Sequence, residues 1–415
     1  METALFIIYL FLFTWMVTQT RFFTESQIPK MQLAILFLIK VSAGLIYGWA
    51  GILDGALNDS WTHHFNSLKH TELLFRDPGE YFAGIFRHAE VNGVRSFFSS
   101  ANSFWNGLKW SAYIKLMSFF NCFSFGNYFI NVIFYSYITF WGVIAIYRVM
   151  KDHLRSSKPL LIIGCFLVPS FLYWCSGLHK DGLTFLALTM IVYHFYFHVL
   201  RKTAGLGSYA IILLGFLILF VFRNHFIVVL VPALLAWYLS EKRPRHKFKI
   251  FILVYIIGAV LFFGLKYIHP ELDFPSIVAE KQQAFNQLTG GKTSIPVKDV
   301  EPNAIGFLKT LPQAVSLSAL RPFYSDIHKP VIIPAFIELV ILWVLFALSL
   351  FVRKKNLSFT PFSLFVTFFV ISVFLMLGYT VNNMGAVARY RSVVFPFFVP
   401  FLLSSINWER FKYTK

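Results

Sequence analysis

Long apolar runs take up most of this chain, and they leave few folds open to it. A helix that crosses the hydrocarbon core of a bilayer needs about 20 consecutive apolar residues, and hydrophobic residues make up 57% of the sequence against 13% that are charged. The sequence therefore predicts an all-α, polytopic transmembrane bundle that forms a single integral membrane domain over residues 1–415. Eleven runs of suitable length predict spans at residues 2–19, 32–52, 126–147, 159–177, 183–200, 206–222, 225–240, 250–267, 331–352, 361–380 and 391–406.

Three details of this pattern bear on the number of spans. The apolar stretch 206–240 is too long for one helix and is interrupted by Arg223-Asn224-His225, so we predict two helices joined by a tight outside hairpin. Residues 113–124 are apolar but short, which predicts a re-entrant or interfacial helix. Glu2 stands where a signal peptide would carry positive charge, so the first run is expected to remain as a helix.

Basic residues concentrate in every second connection between the apolar runs. Segments 148–158, 242–249 and 353–355 carry much of an excess that gives the chain a net charge of +18, whereas the long segments 54–112 and 268–330 are nearly neutral. Connections rich in Lys and Arg stay on the cytoplasmic side. We therefore predict an outside N-terminus, an inside C-terminus and two long outer-face loops. Because topology accounts for the charge, membrane lipids rather than nucleic acid are the expected partners.

The first outer loop brings two carboxylates and two imidazoles close together in sequence. They are Asp54, Asp59, His63 and His64. A carboxylate at a membrane interface can act as a general base toward a sugar hydroxyl, and partial burial raises its basicity. The alternative is that Asp54 caps a helix and the histidines are ordinary interfacial residues. The sequence offers no third ligand at a spacing suited to zinc, so we predict no metal site.

A short outer turn between the fourth and fifth predicted spans holds three ionisable residues. His179, Lys180 and Asp181 follow one another there, beside Tyr173 and Trp174. The aromatic pair suits the depth of the lipid headgroups. A Lys and a His fixed at that depth would form a binding site for a phosphate. The alternative is a turn in which Lys180 and Asp181 only neutralise each other.

Several arginines lie on the predicted outer face, against the general charge bias. Arg389 and Arg391 precede the last span, while Arg223 and Arg321 lie at other outer connections. The guanidinium group presents a fork of donors that matches phosphate. We therefore predict an anion-binding ring, with contacts to lipid headgroups or pairing with loop acids as the alternative.

Two ionisable residues fall inside predicted spans, where such groups are costly and usually paired or functional. They are Lys40 in the second span and Glu338 in the ninth. The two side chains could contact each other. Alternatively, each could face a wet cavity or extend toward the membrane surface.

The order of three motifs carries a resemblance to a known family. The motifs are Asp59-Ser60-Trp61-Thr62-His63-His64, the pattern Pro-Ser-x-x-x-Trp-x-Ser-Gly-x-x-Lys-Asp at 169–181, and Arg389-Tyr390-Arg391 before Pro396. In this order they resemble the polytopic GT-C-type glycosyltransferases of bacterial envelopes, and within them the EpsG-like and Wzy-like polysaccharide polymerases. The turn at 169–181 is the most specific of the three. The resemblance covers most of the chain.

The resemblance implies an enzyme with a GT-C-like fold in the bacterial inner (plasma) membrane. It would transfer a sugar or oligosaccharide from a polyprenyl-phosphate or polyprenyl-diphosphate donor to a glycan hydroxyl on the outer face. The resemblance also implies other polysaccharide-assembly proteins as further partners. The sequence shows no Rossmann or nucleotide-sugar signature, which argues against a cytoplasmic nucleotide-sugar enzyme, and no cofactor is expected.

The same resemblance implies roles for individual residues. It places a carboxylate base in the first outer loop and fits Asp59 best, although such enzymes often carry the acid nearer the preceding helix, where Asp54 lies. In the mechanism we expect, either His63 or His64 orients this base. The donor phosphate would be held by Lys180, Arg389 and Arg391, with His179, Asp181, Arg223 and Arg321 as further substrate-binding residues.

Other functions stay open on sequence alone. A flippase or transporter of lipid-linked oligosaccharide would explain the arginines without chemistry, but it predicts a polar path through the bilayer, whereas most outer-side ionisable candidates lie at one surface. A membrane O-acyltransferase with His179 or His63 as base would need a route for the acyl donor, and nothing marks one. An O-antigen-type ligase differs from a polymerase only in its acceptor, and the sequence does not separate the two.

Overall fold

The computed structural model describes residues 2–53, 59–85, 104–154, 156–287, 293–355 and 359–411. One of the two predicted bases, Asp54, lies outside these ranges. The described residues are mostly helical and contain no β-strand, as predicted. The α-helices are α1 (Glu2–Gln19), α2 (Arg21–Thr24), α3 (Lys30–Leu53), α4 (Asp59–Arg76), α5 (Pro78–Ala83), α6 (Phe104–Ser124), α7 (Tyr128–His153), α8 (Lys158–Phe166), α9 (Pro169–Ser176), α10 (Lys180–His194), α11 (Leu206–Arg223), α12 (His225–Lys242), α13 (Lys247–Gly264), α14 (Phe274–Asn286), α15 (Ala304–Val315), α16 (Ile333–Phe351), α17 (Pro361–Thr380), α18 (Met384–Ser392) and α19 (Phe395–Ser405).

The long apolar helices identify a multi-pass membrane protein, as the sequence predicts. Among the described residues, 9 helices are long and apolar enough to cross a bilayer, or up to 11 if each of two bent helix pairs counts as one span. The interrupted stretch 206–240 forms two helices, because α11 ends at Arg223 and α12 begins at His225. This part of the prediction is confirmed.

Two predicted spans are broken in the structure. Residues 159–177 form α8 and α9, which meet at a bend of 48°, and residues 391–406 belong to α18 and α19, which meet at 69°. Proline explains both breaks, since it supplies no backbone N–H and disfavours helical geometry in the residue before it. Pro169 begins α9, and Pro396 lies in the first turn of α19. Arg389 and Arg391 therefore lie in α18, a separate short helix, rather than leading directly into the last span.

Several helices of the long connections were not predicted or were predicted too short. The amphipathic α4 occupies part of the first long loop, and α14 and α15 occupy part of the second. The apolar segment 113–124 is the end of a longer helix, α6, which packs along α4. The inward face of α4 is formed by polar residues, namely Ser60, His63, His64 and Ser67. The sequence of α4 therefore lacks the hydrophobic periodicity by which a helix is usually predicted.

The chain divides into two compact units. The first comprises α1 to α6, most of α7 and α9, and the α10–α11 pair. In it α1 packs on α3, α4 on α6, and α10 on α11. Its core is rich in aromatic side chains, including Tyr113, Phe120, Tyr128, Phe134 and Tyr135. Such rings bury large apolar areas and prefer the tilted contacts seen here.

In the first unit, α3 packs closely against the end of α9. A Cβ atom built on Gly44 would lie 2.6 Å from the carbonyl oxygen of Ser176, so only glycine allows this approach. One turn earlier on α3, Lys40 Nζ donates hydrogen bonds to the carbonyl of Cys175 (3.0 Å) and to the hydroxyl of Ser176 (3.2 Å). A cation suits a helix C-terminus, where the carbonyl groups carry partial negative charge. This contact satisfies the buried ammonium group of Lys40.

We expect Gly44→Leu to destabilise the first unit, because the new side chain would force α3 away from Ser176. Overpacking of this kind costs about 1–3 kcal/mol. Thermal unfolding in detergent would measure the effect. Gly207→Leu on α11 is the control, since a Cβ there meets nothing within 4 Å. Equal melting temperatures for the two variants would contradict the close packing.

The second unit comprises α8 and α12 to α19, with the remaining residues of α7 and α9. Here α17 packs against α12, α14 and α15, and α19 packs against α8 and α16. Glu338 of α16 accepts hydrogen bonds from the backbone N–H (2.7 Å) and the hydroxyl (2.6 Å) of Ser170. A carboxylate suits the first turn of α9, since a helix N-terminus carries partial positive charge. Glu338, like Lys40, thus has a partner within its own unit.

Candidate functional site

Four ionisable side chains of the first unit form a continuous chain of contacts. The carboxylate of Asp181 lies between an imidazole and a guanidinium group: Oδ2 is 2.8 Å from Nδ1 of His179, and Oδ1 accepts a hydrogen bond of 2.8 Å from Nη2 of Arg223. On its other side, Nε2 of His179 lies 3.9 Å from Oδ2 of Asp59. The His179 and Asp181 side chains are 2% and 1% exposed, whereas that of Asp59 is 69% exposed. The chain therefore runs from a buried ion pair to an accessible carboxylate.

Helix ends position these four side chains. His179 is the extended residue that precedes α10, and Asp181 lies in the first turn of that helix, where a carboxylate is favoured by the helix dipole. Arg223 is the last residue of α11, which packs along α10. Asp59 is the first residue of α4. Three separate helix termini thus bring together residues that are far apart in the sequence.

The first turn of α4 is fixed by its neighbours, which fixes the position of Asp59. The indole N–H of Trp61 donates a hydrogen bond of 2.9 Å to the carbonyl of Gly48 on α3. The Trp61 ring stacks on that of Tyr128 with centroids 4.0 Å apart, and the hydroxyl groups of Ser60 and Tyr128 share a hydrogen bond of 2.8 Å. A carboxylate on such a turn is held in place without being buried.

The arrangement suits proton transfer. In a neutral His179, the hydrogen bond from Nδ1–H to the Asp181 carboxylate places the ring proton on Nδ1. Nε2 then carries no proton and can accept one. Asp59 can take a proton from a substrate hydroxyl. It can share this proton with His179 across the 3.9 Å gap, either after a small movement of the two side chains or through a bridging water molecule. The Asp181 carboxylate would stabilise the imidazolium ion that forms.

Tyr135 of α7 holds the turn that carries His179. Its hydroxyl donates a hydrogen bond to the carbonyl of His179 and accepts one from the backbone N–H of Leu183 at 3.1 Å. The turn lies so close that a Cβ on Gly182 would be 2.5 Å from the Tyr135 oxygen. Tyr135 is a positioning residue that sequence reasoning missed, because it lies in an apolar run in which aromatic residues are common.

We expect Tyr135→Phe to lower stability, since it leaves the N–H of Leu183 without its side-chain partner and removes one of the two donors to the carbonyl of His179. Loss of such a partner costs about 1–3 kcal/mol. The measurement is the melting temperature of the purified protein. Tyr137→Phe on the same helix is the control, because its hydroxyl contacts Thr20, away from this turn. An equal decrease in melting temperature in both variants would contradict the positioning role of Tyr135.

Lys180 lies between His179 and Asp181 in the sequence and is half-buried. Its ammonium group is 5.8 Å from the ring centroid of Tyr113. The Tyr113 hydroxyl is buried and has no hydrogen-bond partner among the described residues. Burial holds the pKa of Tyr113 well above its usual range, so the phenol stays protonated. An unpaired buried hydroxyl is uncommon and calls for an explanation. We note it as a group that a polar ligand could engage.

The two histidines of α4 have aromatic surroundings. The ring of His63 lies 5.2 Å from that of Tyr113. The ring of His64 contacts those of Trp61, Phe65 and Tyr128. Either His63 or His64 was predicted to orient the base, and that role stays a prediction. The imidazole of His179 lies near Asp59, with Nε2 3.9 Å from Oδ2.

The burial of His64 predicts a pH-dependent stability. Burial lowers its pKa from 6.5 to about 4, so folding favours the neutral imidazole. In the unfolded chain this imidazole becomes protonated near pH 6.5, whereas in the folded chain it stays neutral down to about pH 4. Protonation therefore favours the unfolded chain between these values. The stability that the neutral His64 contributes is complete above pH 6.5 and is lost as the pH falls towards 4. We expect the difference in melting temperature between the wild type and His64→Gln to shrink over that interval. A constant difference would contradict the assignment.

The remaining predicted arginines belong to the second unit. Arg391 is buried, and its Nη1 donates hydrogen bonds to the carbonyl groups of Arg321 (2.8 Å) and Ser318 (3.4 Å). Arg321 pairs with Asp326 at 3.2 Å, which is the loop-acid contact considered as the alternative. Arg389 lies near the ring of Tyr390, with the guanidinium carbon 5.5 Å from the ring centroid. The anion-binding role of these three arginines stays a prediction.

Within the described ranges, no group of three or more His, Cys, Asp or Glu side chains is arranged to hold a metal ion. No protein-family model, curated protein or solved structure matches this chain.

Proposed function

We propose that this protein is a membrane glycosyltransferase or polysaccharide polymerase of GT-C-like type. It would transfer a sugar or oligosaccharide from a polyprenyl-phosphate or polyprenyl-diphosphate donor to a glycan hydroxyl on the outer face of the bacterial plasma membrane. The observation that supports this proposal most is the contact of the exposed Asp59 with the buried chain His179–Asp181–Arg223. A deprotonated carboxylate backed by a buried imidazole is what activation of a hydroxyl requires.

The depth of the site supports a lipid-linked donor. Lys180 is the first residue of one membrane-spanning segment, and Arg223 is the last residue of the next. The connection between these two segments carries Arg201 and Lys202, and such basic connections lie inside. The opposite ends, with the candidate site, would therefore lie at the outer headgroup level. A donor whose lipid tail stays in the bilayer presents its phosphate at that depth.

The proposed reaction is a single displacement. Asp59 removes the proton of the acceptor hydroxyl, whose oxygen attacks the anomeric carbon of the donor sugar. The bond between that carbon and the phosphate oxygen breaks, and the polyprenyl phosphate or diphosphate leaves with the bonding electrons. Lys180 offsets the negative charge of the leaving group. One carboxylate acting as base favours inversion at the anomeric carbon.

The test is a transfer assay with the full-length protein in proteoliposomes that contain a lipid-linked oligosaccharide. We expect release of the polyprenyl phosphate or diphosphate together with a lengthened or newly glycosylated glycan, and loss of both in Asp59→Asn. Glu72→Gln, an exposed acid on the same helix, should behave as the wild type. Equal turnover by all three proteins would reject Asp59 as the base. No turnover by any of them, with a suitable donor and acceptor, would reject the transferase proposal.

A flippase or transporter of lipid-linked oligosaccharide is the second candidate, and one observation favours it. Both bent helix pairs have a buried or partly buried charge close to the bend. Glu338 of α16 accepts hydrogen bonds from Ser170 at the start of α9, and Arg391 lies at the end of α18. Broken helices often frame substrate and ion sites in transporters. This candidate predicts transbilayer movement of the lipid-linked glycan that continues in Asp59→Asn. An O-antigen-type ligase would share the transferase chemistry and differ in its acceptor.

A further inference from the structure

The second unit has a long apolar groove between α12 and α13. The groove has a volume of about 700 Å³, which is in the range of small-molecule sites. Its walls include Val231 and Leu235 of α12 and Leu253, Ile257 and Leu261 of α13, all of them between 46% and 57% exposed. In a membrane-spanning helix pair, these side chains face lipid.

The groove runs from Ile250 of α13 to Leu265, the residue that follows the end of this helix. At 1.5 Å per residue this stretch is about 22 Å long, which exceeds half of a hydrocarbon core about 30 Å thick. Gly258 lies in the middle of the groove wall, and a Cβ built on it would meet nothing within 4 Å. The absent side chain leaves space along the middle of the groove, where an extended hydrocarbon chain would fit.

One end of the groove is basic. Lys242, the last residue of α12, and Arg243 line this end and are both exposed. Lys242 Nζ lies 4.1 Å from the ring centroid of Tyr238, which orients the ammonium group. The neighbouring acid, Glu241, accepts a hydrogen bond of 3.0 Å from the Trp237 indole. The rest of the groove wall is apolar, so the distribution of charge along the groove matches that of a lipid with an anionic head.

We propose that this groove binds one anionic glycerophospholipid. The phosphate of the headgroup pairs with Lys242 and Arg243, and one acyl chain lies along α13 past Gly258. Both cations belong to the basic segment 242–249, and basic segments next to spans attract the anionic headgroups of the adjacent leaflet. The bound lipid closes the apolar surface between α12 and α13. This inference depends on the membrane-spanning helices and not on the proposed transferase activity.

The first test measures lipid affinity by native mass spectrometry of the full-length protein in detergent. Phosphatidylglycerol and phosphatidylcholine with the same acyl chains are the probes. We expect phosphatidylglycerol to bind more tightly, and the double variant Lys242→Gln/Arg243→Gln to lose roughly tenfold to thirtyfold of that affinity. The double variant Lys247→Gln/Lys249→Gln removes the same charge from the same segment outside the groove, and should keep wild-type affinity. Equal losses in the two double variants would overturn the headgroup site.

The second test concerns the acyl chain. Gly258→Trp should fill the groove and abolish binding of both phospholipids, with no loss of fold, because the position is open and glycine is a poor helix former. Val260→Trp adds a similar bulk on the same helix at a position that does not line the groove. Retained binding in Gly258→Trp, or equal loss in Val260→Trp, would overturn the proposal. Displacement of phosphatidylglycerol by an equal concentration of polyprenyl phosphate would also overturn it.

Discussion

Replacing Asp59 with Asn should lower the transfer rate by about 10²–10⁴-fold, the usual contribution of a general base. The amide keeps the size of the side chain but cannot take a proton from the acceptor. Stability should change little, because the Asp59 side chain is 69% exposed and exposed substitutions typically stay within about 0.5 kcal/mol. The measurement compares initial transfer rates in proteoliposomes at matched protein level, with melting temperature as the check on folding.

Glu72→Gln is the matched control for this experiment. It makes the same chemical change at an exposed position on the same helix, α4, further from His179. A second informative variant is His179→Gln, which should reduce the rate, because in the proposed mechanism Nε2 of the imidazole accepts the proton that Asp59 takes from the acceptor. A rate for Asp59→Asn within twofold of the wild type would mean that another group, such as Asp54, acts as the base.

The second large effect concerns Asp181, whose carboxylate pairs with both His179 and Arg223. We expect Asp181→Ala to destabilise the protein by about 3–5 kcal/mol, because it leaves a buried guanidinium group without its counter-charge. Activity should also be lost, since Nδ1 of His179 loses the acceptor that orients the ring. Chemical or thermal unfolding in detergent gives the stability change. Asp326→Ala, which breaks the less buried pair with Arg321 and the hydrogen bond from the Phe323 N–H, should cost less than Asp181→Ala.

A double variant separates the structural role of Asp181 from its functional one. Asp181→Leu with Arg223→Met replaces the buried pair by apolar side chains of similar size, which often recovers stability. The proposed mechanism predicts that stability returns while transfer stays impaired, because His179 still lacks its partner. Recovery of both stability and transfer would show that the pair only supports the fold.

The membrane architecture could be predicted from sequence because each span is a local property. A run of about 20 apolar residues identifies a helix whatever it packs against. The two broken spans were missed for a local reason, since hydropathy windows average over Pro169 and Pro396 and detect no bend. The helices of the long connections were missed because α4 buries Ser60, His64 and Ser67 rather than an apolar stripe.

The residues that meet in the candidate site were each singled out from the sequence, but their arrangement was not predicted. Asp59, His179, Asp181 and Arg223 were all candidates, because ionisable groups beside a span are unusual. Their mutual contacts depend on how the ends of α4, α10 and α11 meet, which no local pattern encodes. The expected role of His63 or His64 stays a prediction, while the 3.9 Å approach of His179 to Asp59 was not predicted, because the two residues are far apart in the sequence. Tyr135 gave no sequence signal, because its hydroxyl is one of many in aromatic-rich helices.

The most direct test of the central proposal is where lipid-linked glycan accumulates in host cells that carry Asp59→Asn in place of the wild-type chain. Leaflet-specific labelling of the lipid-linked intermediate, together with polymer length, gives the result at matched protein level. The proposed transferase predicts short or unextended lipid-linked glycan on the outer leaflet and loss of long polymer. Accumulation on the inner leaflet, or a polymer profile equal to that of the wild type, would contradict the assignment of Asp59 as the base of an outer-face transferase.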